Sequence, residues 1–191
     1  MNTHGHDDHC GGDRYFKEVF LHEREFKNLA QHDFLKDVKP IAVSEGQIFD
    51  LGGHSCQVFE AFGHTEGSIA VLDVQNRILF TGDLVAKNPV IMTNDQGNYN
   101  NDDYLATMRK LYGMRDRFDA IYPCHGEYPL PPEYLKELGD CVQGVLDGTI
   151  SGEDYFFRPA EIMPGISGTR YVNGRVSLLY YEAFGDRYVQ A

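Results

Sequence analysis

The segment Thr3-His4-Gly5-His6-Asp7-Asp8-His9-Cys10-Gly11-Gly12 crowds imidazoles and carboxylates into one short stretch. Both groups are ligands for zinc, iron or manganese. Donors packed this densely repel one another or stay solvated unless a cation lies between them. In an extended chain alternate side chains share a face, so His4, His6 and Asp8 are predicted to point together and Asp7 away. His9 joins them only through a turn, which Gly11 and Gly12 permit. An expression tag would be an uninterrupted His run, and here Gly and Asp interrupt it. The other bland reading is a disordered tract that picks up metal casually.

Later positions argue for a specific site. His64 follows Gly63, Asp83 follows Gly82, and His125 stands between Cys124 and Gly126. Each is predicted at the C-terminal end of a strand, where an α/β scaffold builds sites on loops. Those strands are read at residues 47–51, 56–62, 68–73, 77–80 and 120–122, from short Ile-, Val-, Leu- and Phe-rich runs between turn residues. Gly52-Gly53 and Gln75-Asn76 mark two of the turns.

Residues 19–22 read as a short strand. Residues 24–37 read as a helix with Phe26, Leu29, Ala30 and Phe34 on one face. Residues 102–112, extending toward 117, form a second helix with Leu105, Met108, Leu111 and Tyr112 as its apolar stripe. Pro131 and Pro132 open a third, because proline suits a first turn. Leu135, Leu138, Val142, Val145 and Leu146 line its inner face, and Gly148 caps it. A closing strand is read at 175–181. Strands alternating with helices predict a layered α/β or α+β architecture.

Taken in order, His4-x-His6-x-Asp8-His9, Gly63-His64, Gly82-Asp83 and His125-Gly126 resemble the metallo-β-lactamase-fold hydrolase superfamily. The resemblance implies a four-layer αββα sandwich with the site at one edge of its two sheets. It implies one such domain over residues 1–191, N-terminally truncated relative to the family, because members carry first-sheet strands ahead of the His cluster. An incomplete sheet exposes edges and apolar surface, so a homo-oligomer that completes the missing strands is one expected partner. The resemblance further implies two divalent ions, zinc first, with iron or manganese as alternatives. His4, His6 and His64 would hold one ion, Asp8, His9 and His125 the other, and Asp83 would bridge them.

Two cations about 3.5–4 Å apart can share a hydroxide and act as Lewis acids. The expected reaction is therefore attack of a metal-bridging hydroxide on a small ester, thioester or lactone. Asp8 is the catalytic candidate, orienting the nucleophile and moving its proton with a spare carboxylate oxygen. The lactamases that name the family mostly place Cys at one metal, and here Asp83 stands at the bridging position, so β-lactams are not the favoured substrates. Gly63-His64-Thr65-Glu66-Gly67-Ser68 and Phe80-Thr81-Gly82-Asp83 look closer to the glyoxalase II-like branch, although residues 84–88 depart from it. Competing readings are a mononuclear iron oxygenase of the persulfide dioxygenase type, a phosphodiesterase or nuclease, and a catalytically impaired, truncated metal-binding oligomer. Substrate-contact candidates are Lys87 and Tyr99 in the loop after Asp83, and Arg158, Arg170 and Tyr171 in a stretch read as irregular. Cys10 and Cys124 are read as small buried packing residues, and His22, His32 and His54 as solvated or structural.

Composition narrows the partners. The chain has 191 residues, 42% hydrophobic and 13% aromatic, which excludes wholesale disorder. Its formal charge of -12 makes nucleic acid and anionic membrane poor partners and leaves a small-molecule substrate. The four cysteines are scattered, and neither a signal segment nor a membrane span is read, so a reducing cytoplasm is expected.

Overall fold

Apolar alternation after residue 47 builds the sheet that carries the site. The computed structural model describes residues 1–87, 89–93, 100–158 and 165–181. Its first elements are a single helical turn α1 (Asp7–Cys10), strand β1 (Glu18–His22), a short helix α2 (Phe26–Leu29) and strand β2 (Lys39–Val43). Strands β3 (Ile48–Asp50), β4 (Ser55–Glu60), β5 (Ile69–Asp73), β6 (Ile78–Gly82) and β7 (Val90–Thr93) follow. Then come helix α3 (Asn101–Gly113), strand β8 (Ala120–Pro123), helix α4 (Glu133–Leu146) and strands β9 (Gly152–Phe157), β10 (Ile166–Asn173) and β11 (Val176–Tyr181).

Three sheets result: β1-β2 in parallel, a five-stranded sheet ordered β3-β4-β5-β6-β8, and a four-stranded sheet ordered β7-β11-β10-β9. The five-stranded sheet is antiparallel except for its last pair, β6 with β8. That parallel pairing lets the loops after both strands, which carry Asp83 and His125, leave from the same end.

One face of this sheet packs Phe59, Ala70, Leu72, Leu79 and Ile121 into the main core. Leu105, Met108 and Leu111 of α3 and Leu135, Leu138 and Val142 of α4 meet them there, with Val176 and Leu178 of the four-stranded sheet. The opposite face carries a smaller cluster of Val58 and Ile69 with Val43, against which Phe20, Phe49 and Val71 pack. Both long helices start as the sequence suggests. Asn100 caps α3 by accepting from the Asp102 and Asp103 amides at 2.8 and 3.2 Å. Pro132 stands at the start of α4, and Gly148, at φ 68°, follows its end.

The helix expected over residues 24–37 is broken into short turns, and Ala30 and Phe34 are exposed. Leu29 is in the local core as expected, with Phe26 packed against it, and Leu35 and Val38 fill it in place of Ala30 and Phe34. Within this stretch Glu25 and His32 turn toward the first ten residues, Glu25 onto the Gly5 amide and His32 onto the Gly5 carbonyl. Strands β2, β7, β9 and β10 were not anticipated: β2 contains Pro40, and β9 and β10 are largely polar or Gly-containing. The stretch read as irregular, with Arg170 and Tyr171, is in part strand β10. Among the described residues, no helix is long and apolar enough to cross a membrane.

Leu135 of α4 is fully buried in the main core. Leu135→Ala is expected to lower the unfolding free energy by about 2–5 kcal/mol, measured by urea titration; an unchanged midpoint would contradict this packing.

Candidate metal centre

The sheet brings strand ends together, and the N-terminal segment lies across them. Residues 2–4 are tied down by main-chain bonds: the Asn2 amide donates to Phe20 O at 2.8 Å and the Ile69 amide to Thr3 O at 2.8 Å. Gly82, just before Asp83, has φ 57°, and a Cβ there would stand 2.5 Å from Thr3 Oγ1. Only glycine allows this strand end and the N-terminal segment to approach so closely. Thr3 Oγ1 in turn lies 3.1 Å from His4 Nδ1, which leaves His4 Nε2 facing the centre.

Two groups of donors form side by side. In the first, His6 Nδ1 lies 3.0 Å from His4 Nε2 and 3.2 Å from His64 Nε2. The three rings stand nearly perpendicular to one another, at 80–85°. The second holds Asp8, His9, Asp83 and His125, with all ligand atoms of each group within 4.8 Å of one another. There, His125 Nε2 lies 3.1 Å from Asp8 Oδ2 and 3.3 Å from Asp83 Oδ2. Asp83 spans both groups: Oδ1 is 3.1 Å from His9 Nε2 and Oδ2 is 3.8 Å from His64 Nε2.

The extended run expected for residues 4–9 ends at His6. Asp7–Cys10 is a helical turn whose His9 and Cys10 amides both donate to His6 O. Asp8 therefore leaves the His4 and His6 group and joins His9 in the second one. Lys87 lies against Gly126 beside the His125 loop and pairs with Glu127. Arg170 pairs with Glu153 and stacks over Tyr155, and the Tyr171 ring meets Tyr180; both are engaged within the four-stranded sheet. Tyr99 lies outside the described residues. Cys10 is buried as expected, whereas Cys124 is exposed and its side chain reaches His9.

Charge follows geometry. Burial, with the neighbouring imidazoles, pushes His4 down to about 2, and burial pushes His64 down to about 4. Burial also opposes charge on His9, but the Asp8 and Asp83 carboxylates close beside it overcome this and raise His9 to about 12. Hydrogen bonds to Asp8 and Asp83 raise His125 to about 10. The same contacts hold both carboxyls well below the usual range, led for Asp8 by His125 and opposed for Asp83 by its burial.

The donors fit divalent cations. Three imidazole nitrogens converge at a spacing close to the roughly 3.3 Å of tetrahedral ligands about 2.0–2.1 Å from zinc. His9 Nε2 and Asp83 Oδ1 are buried and face each other at 3.1 Å, yet neither makes a hydrogen bond of acceptable geometry. A cation between them would satisfy both.

The comparisons with known proteins agree with this geometry. Residues 1–125 match the family model described as the metallo-beta-lactamase superfamily. The chain belongs to this superfamily. Within it, the chain is similar to the acyl-coenzyme A thioesterase MBLAC2 of Gallus gallus, 30% identical over 73% of this chain and 62% of that one. It is also similar to a hydroxyacylglutathione hydrolase of Ruegeria pomeroyi, 38% identical over 42% of this chain and 31% of that one. The chain thus spans less than two thirds of the length of these relatives. A metallo-beta-lactamase from Pontibacter korlensis superposes with a TM-score of 0.62 at 22% identity, covering 74% of this chain and 67% of that one, which shows the shared fold. The fold implies divalent metal binding, consistent with the donor set.

Two other residues that support the centre, Glu25 and His32, carried no metal-site signal in sequence. Glu25 lies among the charged residues Glu23, Arg24 and Lys27, and His32 stands alone.

The pKa shifts predict a bell-shaped stability profile for the metal-stripped chain. His4 and His64 titrate near 6.5 when unfolded and lower when folded. Between about pH 4 and 6.5 the unfolded chain binds more protons, so stability falls as pH falls through that window. His9 and His125 are raised instead, so their contribution is complete below about pH 6.5 and is lost as pH rises through about 10 to 12. Urea midpoints across these windows check the profile, and a flat one would contradict it.

Proposed function

We propose that the chain is a dinuclear metal-dependent hydrolase acting on a thioester, with a small ester or lactone as the related alternative substrates. The observation that carries this reading is the Asp83 carboxylate, which faces His9 and His125 of one donor group and His64 of the other. His4, His6 and His64 would hold one ion; Asp8, His9 and His125 the second; Asp83 would be shared. Zinc is the metal this reading favours, with iron and manganese also compatible with the nitrogen and oxygen donors. Bound there, the ions supply Lewis acidity, which makes hydroxide available from water at neutral pH and stabilises oxyanion charge.

The chain's own residues supply orientation and proton handling. The three mutually perpendicular imidazoles form a tripod whose direction is set by the N-terminal segment and by Gly82. Asp8 is the most solvent-accessible carboxylate of the centre, with its side chain 58% exposed, and it is oriented by His125 and His9. It can therefore meet both an incoming substrate and the proton that the nucleophile gives up. Among the described residues, Lys87, whose main chain lies against Gly126, is a candidate for contact with an anionic part of the substrate.

The thioester class is supported by the relative named an acyl-coenzyme A thioesterase. Asp83 at the bridging position supports it against β-lactams.

Zinc-loaded chain is expected to hydrolyse acyl-thioesters, read by free thiol release. Asp8→Ala is expected to lower kcat about 10²–10⁴-fold, the usual contribution of a positioned acid-base group. Retained kcat in Asp8→Ala would remove Asp8 from this role. Absence of hydrolysis of thioesters, esters and lactones by the zinc-loaded chain would overturn the reading.

A further inference from the structure

Glu25 is fully buried, although carboxylates avoid such positions unless their oxygens are satisfied. Here they are satisfied from two directions. Oε2 accepts from the Gly5 amide at 2.8 Å and from Asn28 Nδ2 at 2.9 Å. Oε1 accepts from Thr65 Oγ1 at 2.7 Å and from the Gly67 amide at 2.9 Å. Gly5 lies between His4 and His6, and Thr65 follows His64. One carboxylate thus joins the two loops that supply the histidine tripod.

The backbone is shaped around this contact. A Cβ on Gly5 would stand 2.9 Å from Asn28 Cβ and 3.1 Å from Glu25 Oε2. A Cβ on Gly67 would stand 2.9 Å from both Glu25 Cγ and Oε1. Glycine at both positions lets the amides reach the carboxylate. The main chain of Gly5 is also held on its other side, since His32 Nε2 lies 3.1 Å from Gly5 O while His32 Nδ1 lies 3.1 Å from Asp7 Oδ1. The two peptide units that flank the Gly5 Cα are thus each held by a side chain.

We infer that Glu25 is a positioning residue for metal binding, which sets the spacing of His4 and His6 against His64 by clamping the Gly5 and Thr65–Gly67 backbones to one buried carboxylate. Its negative charge also complements a cation bound by the tripod. Outer groups of this kind typically change metal affinity about 10–100-fold. The inference rests on the metal-site reading of the proposed function.

The test uses zinc titration of the metal-stripped full chain, followed by ¹H–¹⁵N spectra of the histidine side chains, which report the two donor groups separately. Glu25→Gln places an amide donor where only acceptors fit. Gly67→Ala leaves the carboxylate but displaces it, and so serves if Glu25→Gln does not fold. Lys27→Ala, which removes only an exposed pair with Glu66, is the control. The expected result is a 10–100-fold loss of zinc affinity at His4, His6 and His64 in the folded variant, with a smaller change at His9 and His125. Equal affinity of variant and wild type at the tripod, with only a lower unfolding midpoint, would make Glu25 merely structural and overturn the inference. Equal weakening of both groups would overturn it as well. A wild-type chain that binds no zinc at the tripod would instead defeat the metal-site reading, and this inference with it.

Discussion

Lone pairs from His4, His6 and His64 converge within about the spacing of ligands around one small cation, and Asp83 closes the gap to a second set of donors. Without a cation, these groups compete for protons. Two imidazoles are driven neutral by burial, while two others take up protons to pair with Asp8 and Asp83. The pattern divides by place: the buried His4 and His64 exclude charge, and His9 and His125, beside the two carboxylates, retain it. Cations would replace both solutions with one, and their binding would release protons from His9 and His125.

Much of the surrounding fold serves to hold that convergence. The parallel pairing of β6 with β8 puts Asp83 and His125 at one sheet end. The segment around Thr3 crosses this end, locked to Phe20 and Ile69 by backbone bonds and fitted against Gly82. Glu25 and His32 hold the amide and the carbonyl of Gly5, between the tripod residues His4 and His6. The stretch read as a helix over residues 24–37 is short turns here, and Glu25 within it is bonded across the fold to Gly5, Thr65 and Gly67.

Legibility in the sequence followed range of interaction. The strands ending at Gly82 and Pro123 and the helices α3 and α4 were readable because their apolar periodicity and caps are local. The grouping of Asp8 with His9 was not readable from alternation, because a helical turn at Asp7–Cys10 replaces the extended chain. It came only through the motif. Strands β2, β9 and β10 are not legible, because Pro40 interrupts β2, Gly-Glu-Asp opens β9 before its aromatic end, and Ser167, Gly168, Thr169 and Arg170 break the apolar pattern of β10. Glu25 escaped because burial of a carboxylate depends on donors from Gly5, Thr65 and Gly67, far away in sequence.

Zinc titration of the untagged, metal-stripped chain, with bound metal counted by elemental analysis, decides whether the two donor groups hold two cations that share Asp83. Two zinc ions per chain are expected. One ion per chain, or none in a folded chain, would refute a shared dinuclear centre.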